Sequence, residues 1–275
     1  GRTKRRASRW FLASGRGVLT LKAEVESRAG GVLFDLAMGV SVVNAITGGS
    51  LQVMHTQVAN MVLPSSTIQL RKSLNDGTAR VETFRGCTAL KTTIEQPFNA
   101  IPSIEVEFDA LAYTTATAAI SPSYATTSNL YDAMHATVGY GGALTVPSAS
   151  ALGTGLTAVT NWRSFKLEID QNGNDDGWVL AGGVRSQPKV GAPSVKLTGE
   201  VEFNDNVLPD AYVAGTRNAW YCTWAHPTEL VGAVPAALQL AIPSLALTKG
   251  VPQVKPGEAP RTYPVEGEVK YDGTN

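Results

Sequence analysis

The 275-residue chain is 43% hydrophobic, enough to bury a sizeable core within one large domain, and its 27 glycines and 15 prolines are spread in a way that favours many short strands over long helices. Two cysteines, Cys87 and Cys222, exclude a disulfide framework, and no apolar run approaches the ~18 residues that span a bilayer. The apolar stretch WFLAS is shorter than the roughly 7 to 15 residues of a signal-peptide core, so a soluble protein assembled in a reducing cytoplasm is expected.

Formal charge sums to zero but is unevenly placed. Residues 1–16 carry six bases, among them Arg2, Lys4, Arg5, Arg6 and Arg9, and no acid; the rest holds 17 bases against 23 acids, a net of −6. A basic arm over residues 1–17 suits docking on an acidic neighbour or on nucleic acid, and suits a solvated terminus equally well. Residues 18–275 read as one β domain. Val18 to Glu26 alternates as a first strand, and Val32, Leu33, Leu36 and Val40 recur at helical spacing, which predicts a helix over 32–40. Thr47 to Ser50 is turn-like, and Leu51 to Ala59 returns to a polar–apolar mixture. Asn75, Asp76 and Gly77 form the strongest turn signal in the chain, because these residues tolerate positive φ. Their long polar flanks predict a hairpin that protrudes.

The chain is organised around Thr67 to Ala112, which from Ser103 on alternates almost without error. Ile104, Val106, Phe108 and Ala110 fall on one face of a strand, and Ser103, Glu105, Glu107 and Asp109 fall on the other, predicted to be acidic and wet. The preceding segment sets Leu90 and Ile94, with Thr88 and Thr92, against Cys87, Ala89, Lys91, Thr93 and Glu95. Residues 113–160 read as a loop-rich insertion: Asn129 to Val138 could form a short helix, and Gly139 to Ala158 is a small-residue run without a pattern. Alternation then resumes. Arg163, Phe165, Leu167 and Ile169 oppose Trp162, Ser164, Lys166, Glu168 and Asp170; Val195, Leu197, Val201 and Phe203 oppose Lys196, Thr198, Glu200, Glu202 and Asn204. SVKLTGEVEF echoes SIEVEF, so strand pairs near 80–112 and 160–204 read as a weak internal duplication. In the closing strands Val265 and Val269 point inward, and Glu266, Glu268 and Lys270 outward. The expected fold is mainly β, a two-sheet sandwich or partly closed barrel with one short flanking helix and long loops.

Several pieces in order carry a family resemblance: LPSSTI at 63–68, Gly86-Cys87 opening a strand, the following strand ending in a Thr/Ala run at 113–119, GVLFDLAMGV followed by His55-Thr56, and the closing LQLAIPSLALTKGVPQVKPGEAPRTYPVEGEVKYDG. Together they resemble the tail tube (major tail) proteins of long-tailed bacteriophages. The resemblance implies a virion protein assembled in the host cytoplasm. It further implies a homo-oligomer of rings, expected to be hexameric, stacked into a tube, with tape measure and tail terminator or baseplate proteins as partners and transient passage of double-stranded DNA. It also implies that the hairpin at Asn75, Asp76 and Gly77 helps stack one ring on the next. A tube protein of a contractile secretion apparatus and, behind it, a carbohydrate-binding sandwich are the alternatives.

No enzyme is expected, and no cofactor or metal. The three histidines are some 80 to 90 residues apart, without ligand spacing. Asp170 to Gly177 opens like a calcium loop, but Asp175 stands where glycine and Ala181 where glutamate should be. Glu105, Glu107 and Asp109 lack the aromatic walls of a glycosidase cleft. If these strands line a tube, Glu105, Glu107, Asp109, Glu200 and Glu202 give DNA a lining without positive charge to grip it. If the faces point outward, the same residues are plain solvated surface.

Overall fold

The computed structural model describes residues 17–27, 31–45, 51–56, 63–115, 117–121, 128–148, 151–173, 190–231, 234–252 and 262–270. The basic arm and Thr47 to Ser50 lie outside them. In chain order the elements are β1 (Gly17–Glu24), α1 (Gly31–Met38), β2 (Val40–Ala45), β3 (Leu51–Thr56), β4 (Ser66–Ser73), β5 (Ala79–Gln96), β6 (Ser103–Ala110), β7 (Ala112–Thr114), β8 (Ala136–Thr145), β9 (Thr154–Val159), β10 (Trp162–Asp170), β11 (Ser194–Glu202), α2 (Val207–Ala214), β12 (Arg217–Val231), β13 (Val234–Lys249) and β14 (Thr262–Val269). Among the described residues twelve strands join in one antiparallel sheet. Its order is β1-β6-β5-β10-β11-β14-β13-β12-β8-β9, with β4 and β7 also on β5, while β2 and β3 pair separately. The two units near 80–112 and 160–204 sit side by side as β6-β5-β10-β11.

The mainly β expectation holds, and the core explains the shape. Ile104, Val106, Phe108 and Ala110 are fully buried along β6. Phe165 on β10 meets Trp220 and Trp224 on β12 at ring-centroid distances of 5.0 and 5.8 Å. Three strands separate β10 from β12 within the sheet, so the sheet curls over and packs its two halves face to face without closing. Burying each such large side chain stabilises by about 1.5–3 kcal/mol. Gln96 fastens the layers: its Oε1 accepts from Trp224 Nε1 at 2.8 Å, and its Nε2 donates to the carbonyls of Pro97 and Ala100, each at 2.8 Å.

Helix α1 forms where helical spacing predicts it and stops at Gly39, φ 82°, before the β-branched run that becomes β2. Fully buried Gln171 donates to the Ala37 carbonyl at 3.2 Å, tying the end of β10 to the last turn of α1. A second helix, α2, is absent from the sequence reading. Asp205 Oδ1 accepts from Val207 N–H at 3.0 Å at its start, Pro209 lies in its first turn, and Gly215, φ 62°, ends it.

Several sequence expectations need correction. Leu90 is a bulge: Ala89 opposes Phe108, and the next partner of Glu107 is Lys91. The extra residue switches the inward parity, so Cys87 and Ala89 are buried on one side of it and Thr92 and Ile94 on the other. Arg163 is a second bulge, between Trp162 opposite Val201 and Ser164 opposite Glu200. It turns Trp162 toward Trp220, 5.9 Å away, instead of outward. Phe203, expected inside, is 38% exposed just past the end of β11. Finally, the small-residue run at 139–158 is not simply loop: much of it is the β8–β9 hairpin. Gly142 and Gly155, φ 89° and 96°, let the two backbones close in where a Cβ would strike the carbonyl opposite, and Gly139 passes beneath the Tyr221 ring. Of the helix imagined at 129–138 only a 3-10 turn at Ala133–His135 forms, capped by Asp132.

Candidate functional site

Alternation along each strand, with antiparallel register between strands, builds one broad polar face over β1, β6, β5, β10, β11 and β14. Glu105 lies between Lys22 and Thr93, and Glu107 between Thr20 and Lys91. Thr93 in turn opposes Glu168, and Glu168 opposes Lys196. The expected acidic face is therefore interleaved with lysine. Glu168 takes Lys166 at 2.9 Å and Lys91 at 3.6 Å; Glu266 takes Lys196 at 2.9 Å and Lys249 at 3.5 Å; Lys270 pairs with Glu268. Donation from Lys166 holds the Glu168 carboxyl below its ordinary range, and Lys196 does the same for Glu266 while its own ammonium is pushed up. Thr93 is short among long neighbours, which leaves a polar depression of about 230 Å³ lined by Lys91, Glu95, Glu105, Glu107, Lys166 and Glu168.

The acidic residues predicted for this face do not share one environment. Glu107 and Glu200 are exposed, and Glu105 and Glu202 are half-buried. Glu202 faces Arg163 at 3.6 Å, whose guanidinium lies 4.3 Å over the Phe98 ring. Asp109 is fully buried, contrary to the wet face expected of it. Phe108, Asp109 and Ala110 are all inaccessible, as is Thr88 opposite Asp109, so both sides of β6 are covered at this end. The neighbouring Cys87 thiol is pushed up by burial, and the Asp109 carboxylate adds to the effect.

The predicted hairpin protrudes. Residues 71–80 are all exposed, and β4 pairs with the first half of β5 beyond the body of the sheet. At its tip Gly77 N–H donates to Leu74 O at 3.1 Å and Leu74 N–H to Thr78 O at 2.8 Å, with Gly77 at φ 80°. Asp76 Oδ1 accepts from Thr78 N–H and Oγ1 at 2.9 and 2.6 Å, which lowers its pKa. At the base, Glu82 accepts from Lys72 Nζ at 2.6 Å and Tyr113 OH at 3.2 Å and faces Arg80 Nε at 3.3 Å. Tyr113 also stacks on Phe84, 5.2 Å between centroids.

Folding brings together groups that linear spacing kept apart: the His135 and His226 rings lie 4.9 Å apart, and His135 Nδ1 is 3.1 Å from Asp132 Oδ1. Among the described residues no group of three His, Cys, Asp or Glu could hold a metal ion. Of the calcium-like loop, Asp170 to Gly173 are described. There Asp170 Oδ1 accepts from Asn172 N–H at 2.8 Å, as in an ordinary Asx turn.

An antiparallel sheet that curls without closing, bears ion pairs on its outer face and extends a hairpin has the build of a subunit that assembles with others. The chain belongs to the phage tail tube protein family, whose family model matches residues 4–269. No curated protein matches it. It is a structural component of the virion tail, one of many subunits that make up a tube. No helix among the described residues is long and apolar enough to cross a membrane.

Proposed function

We propose that the subunits close into rings, six to a ring, that the rings stack, and that double-stranded DNA passes through the resulting channel during ejection. The polar sheet face, with Glu105, Glu107, Glu200 and Glu202, turns to the channel; buried Asp109 supports the strand behind it. The observation that carries this reading is the face itself, six strands wide with a polar outer surface and no unbroken positive field for phosphates to settle on. The open edges favour ring closure, because β1 and β9 end the sheet among the described residues and a neighbour's strand satisfies bare backbone groups. The hairpin tip at Asn75, Asp76 and Gly77 reaches the next ring. The basic arm, Arg2, Lys4, Arg5, Arg6 and Arg9, docks on a neighbouring subunit, and the tube ends meet tape measure and terminator or baseplate proteins.

Electron microscopy of purified protein over a concentration series tests assembly; a strictly monomeric species at high concentration overturns it. Glu107→Cys tubes test orientation, since native Cys87 and Cys222 are buried and free. A small maleimide should react at position 107 while a bulky polymer-linked maleimide should not. Equal reaction with both places the face outside.

A further inference from the structure

The pairing pattern of the polar face is tighter than stability requires. Ion pairs at half-buried surface positions such as these contribute on the order of 1 kcal/mol each, so the fold gains little from them. Yet Glu168 and Glu266 each engage two lysines, one pair at 2.9 and 3.6 Å and the other at 2.9 and 3.5 Å, drawing in β5, β10, β11, β13 and β14. A lysine binds a polyanion by exchanging counterions for phosphate; one already held by a carboxylate must first surrender that partner, and the carboxylate repels the incoming phosphate. A wholly acidic face would avoid DNA too, but like charges on facing strands destabilise the sheet.

We infer that Glu168 and Glu266 are masking residues: they hold Lys91, Lys166, Lys196 and Lys249 away from the phosphates of double-stranded DNA, leaving a hydrated face over which a polyanion slides without binding. The biological meaning rests on the channel orientation proposed above, whereas the masking is a property of the subunit and is measured on it.

The experiment compares three full-length proteins, all keeping the basic arm: the parent, E168Q/E266Q, and E105Q/E107Q. Both variants lose two negative charges from the same face, but only the first releases the paired lysines. Fluorescence anisotropy with a short double-stranded DNA measures affinity, and thermal unfolding confirms that each protein is folded. E168Q/E266Q should bind at least roughly tenfold more tightly than the parent at low salt. Because each released lysine adds to the salt dependence, that gain should shrink toward the parent's affinity between ~50 and ~200 mM salt, while E105Q/E107Q stays near the parent. Equal gains in both variants would make net charge the cause and overturn masking, as would no gain in E168Q/E266Q. Neither result bears on which way the face points, which the maleimide experiment decides separately.

Discussion

Glu107 and Asp109 stand two apart on one strand, and alternation gives them the same face, yet one is exposed and the other has no accessible surface. Glu107→Lys sets a lysine opposite Lys91 and should cost no more than about 1 kcal/mol, the scale of a cross-strand pair on an exposed face. Asp109→Lys should cost about 3–5 kcal/mol, the range for a buried charge left uncompensated. Urea unfolding of the two variants checks the contrast, and similar midpoints would contradict the burial of Asp109. Gln96→Leu should lower stability by about 2–3 kcal/mol in the same assay, because Trp224 Nε1 loses its partner inside the core and the half-buried carbonyls of Pro97 and Ala100 lose theirs. Period-two reading found the Ile104, Val106 and Phe108 face and the alternation of charge, since both are local. It could not find that Asp109 is covered, because that depends on what lies over the strand and not on the strand.

Among the elements, the β4–β5 hairpin has its stabilising contacts at the base and its tip in solvent. Replacing residues 74–78 with a two-residue Asn-Gly turn should leave the unfolding midpoint of the domain nearly unchanged while shortening or abolishing tubes in micrographs; tubes of parental length would reduce the hairpin to a surface turn. The base should respond to acid. Lys72 donation lowers the folded pKa of Glu82 below its unfolded value, so its contribution to hairpin order is present above about pH 4.3 and is lost as pH falls through the folded pKa. Side-chain carboxyl NMR should show Glu82 titrating below ordinary glutamates, with hairpin amides exchanging faster in Glu82→Gln. The hairpin was legible because Asn-Asp-Gly specifies its turn locally. The bulges at Leu90 and Arg163 were not: one extra residue inverts the faces of a strand segment, and nothing in Leu90 or Arg163 distinguishes it from a neighbour in regular register. The β8–β9 hairpin was missed for a different reason. Its glycines look like loop in a linear reading, but Gly139 is required by the Tyr221 ring above it, and Gly142 and Gly155 by the backbone opposite.

For the whole molecule, the open ends of the sheet predict which strands meet in a ring. Val18 on β1 is exposed, as is Ala158 on β9. A Val18→Cys/Ala158→Cys protein should give a ladder of intermolecular disulfides in assembled tubes, ending at the copy number of one ring, and monomer alone before assembly. No ladder would move the ring contact to other edges. Sheet order has one more consequence, in time and not in space. β14, the last strand among the described residues, inserts between β11 and β13, near the middle of the sheet. While a nascent chain is still being translated, both of those neighbours have a bare edge, and the half of the sheet carrying Trp220 and Trp224 has no continuous backbone ladder to the half carrying Phe165. The complete sheet therefore forms only once residues 262–269 are available to pair. A chain cut short before them would leave β11 and β13 unpaired, and such truncated copies should fold poorly and fail to enter assembled tubes.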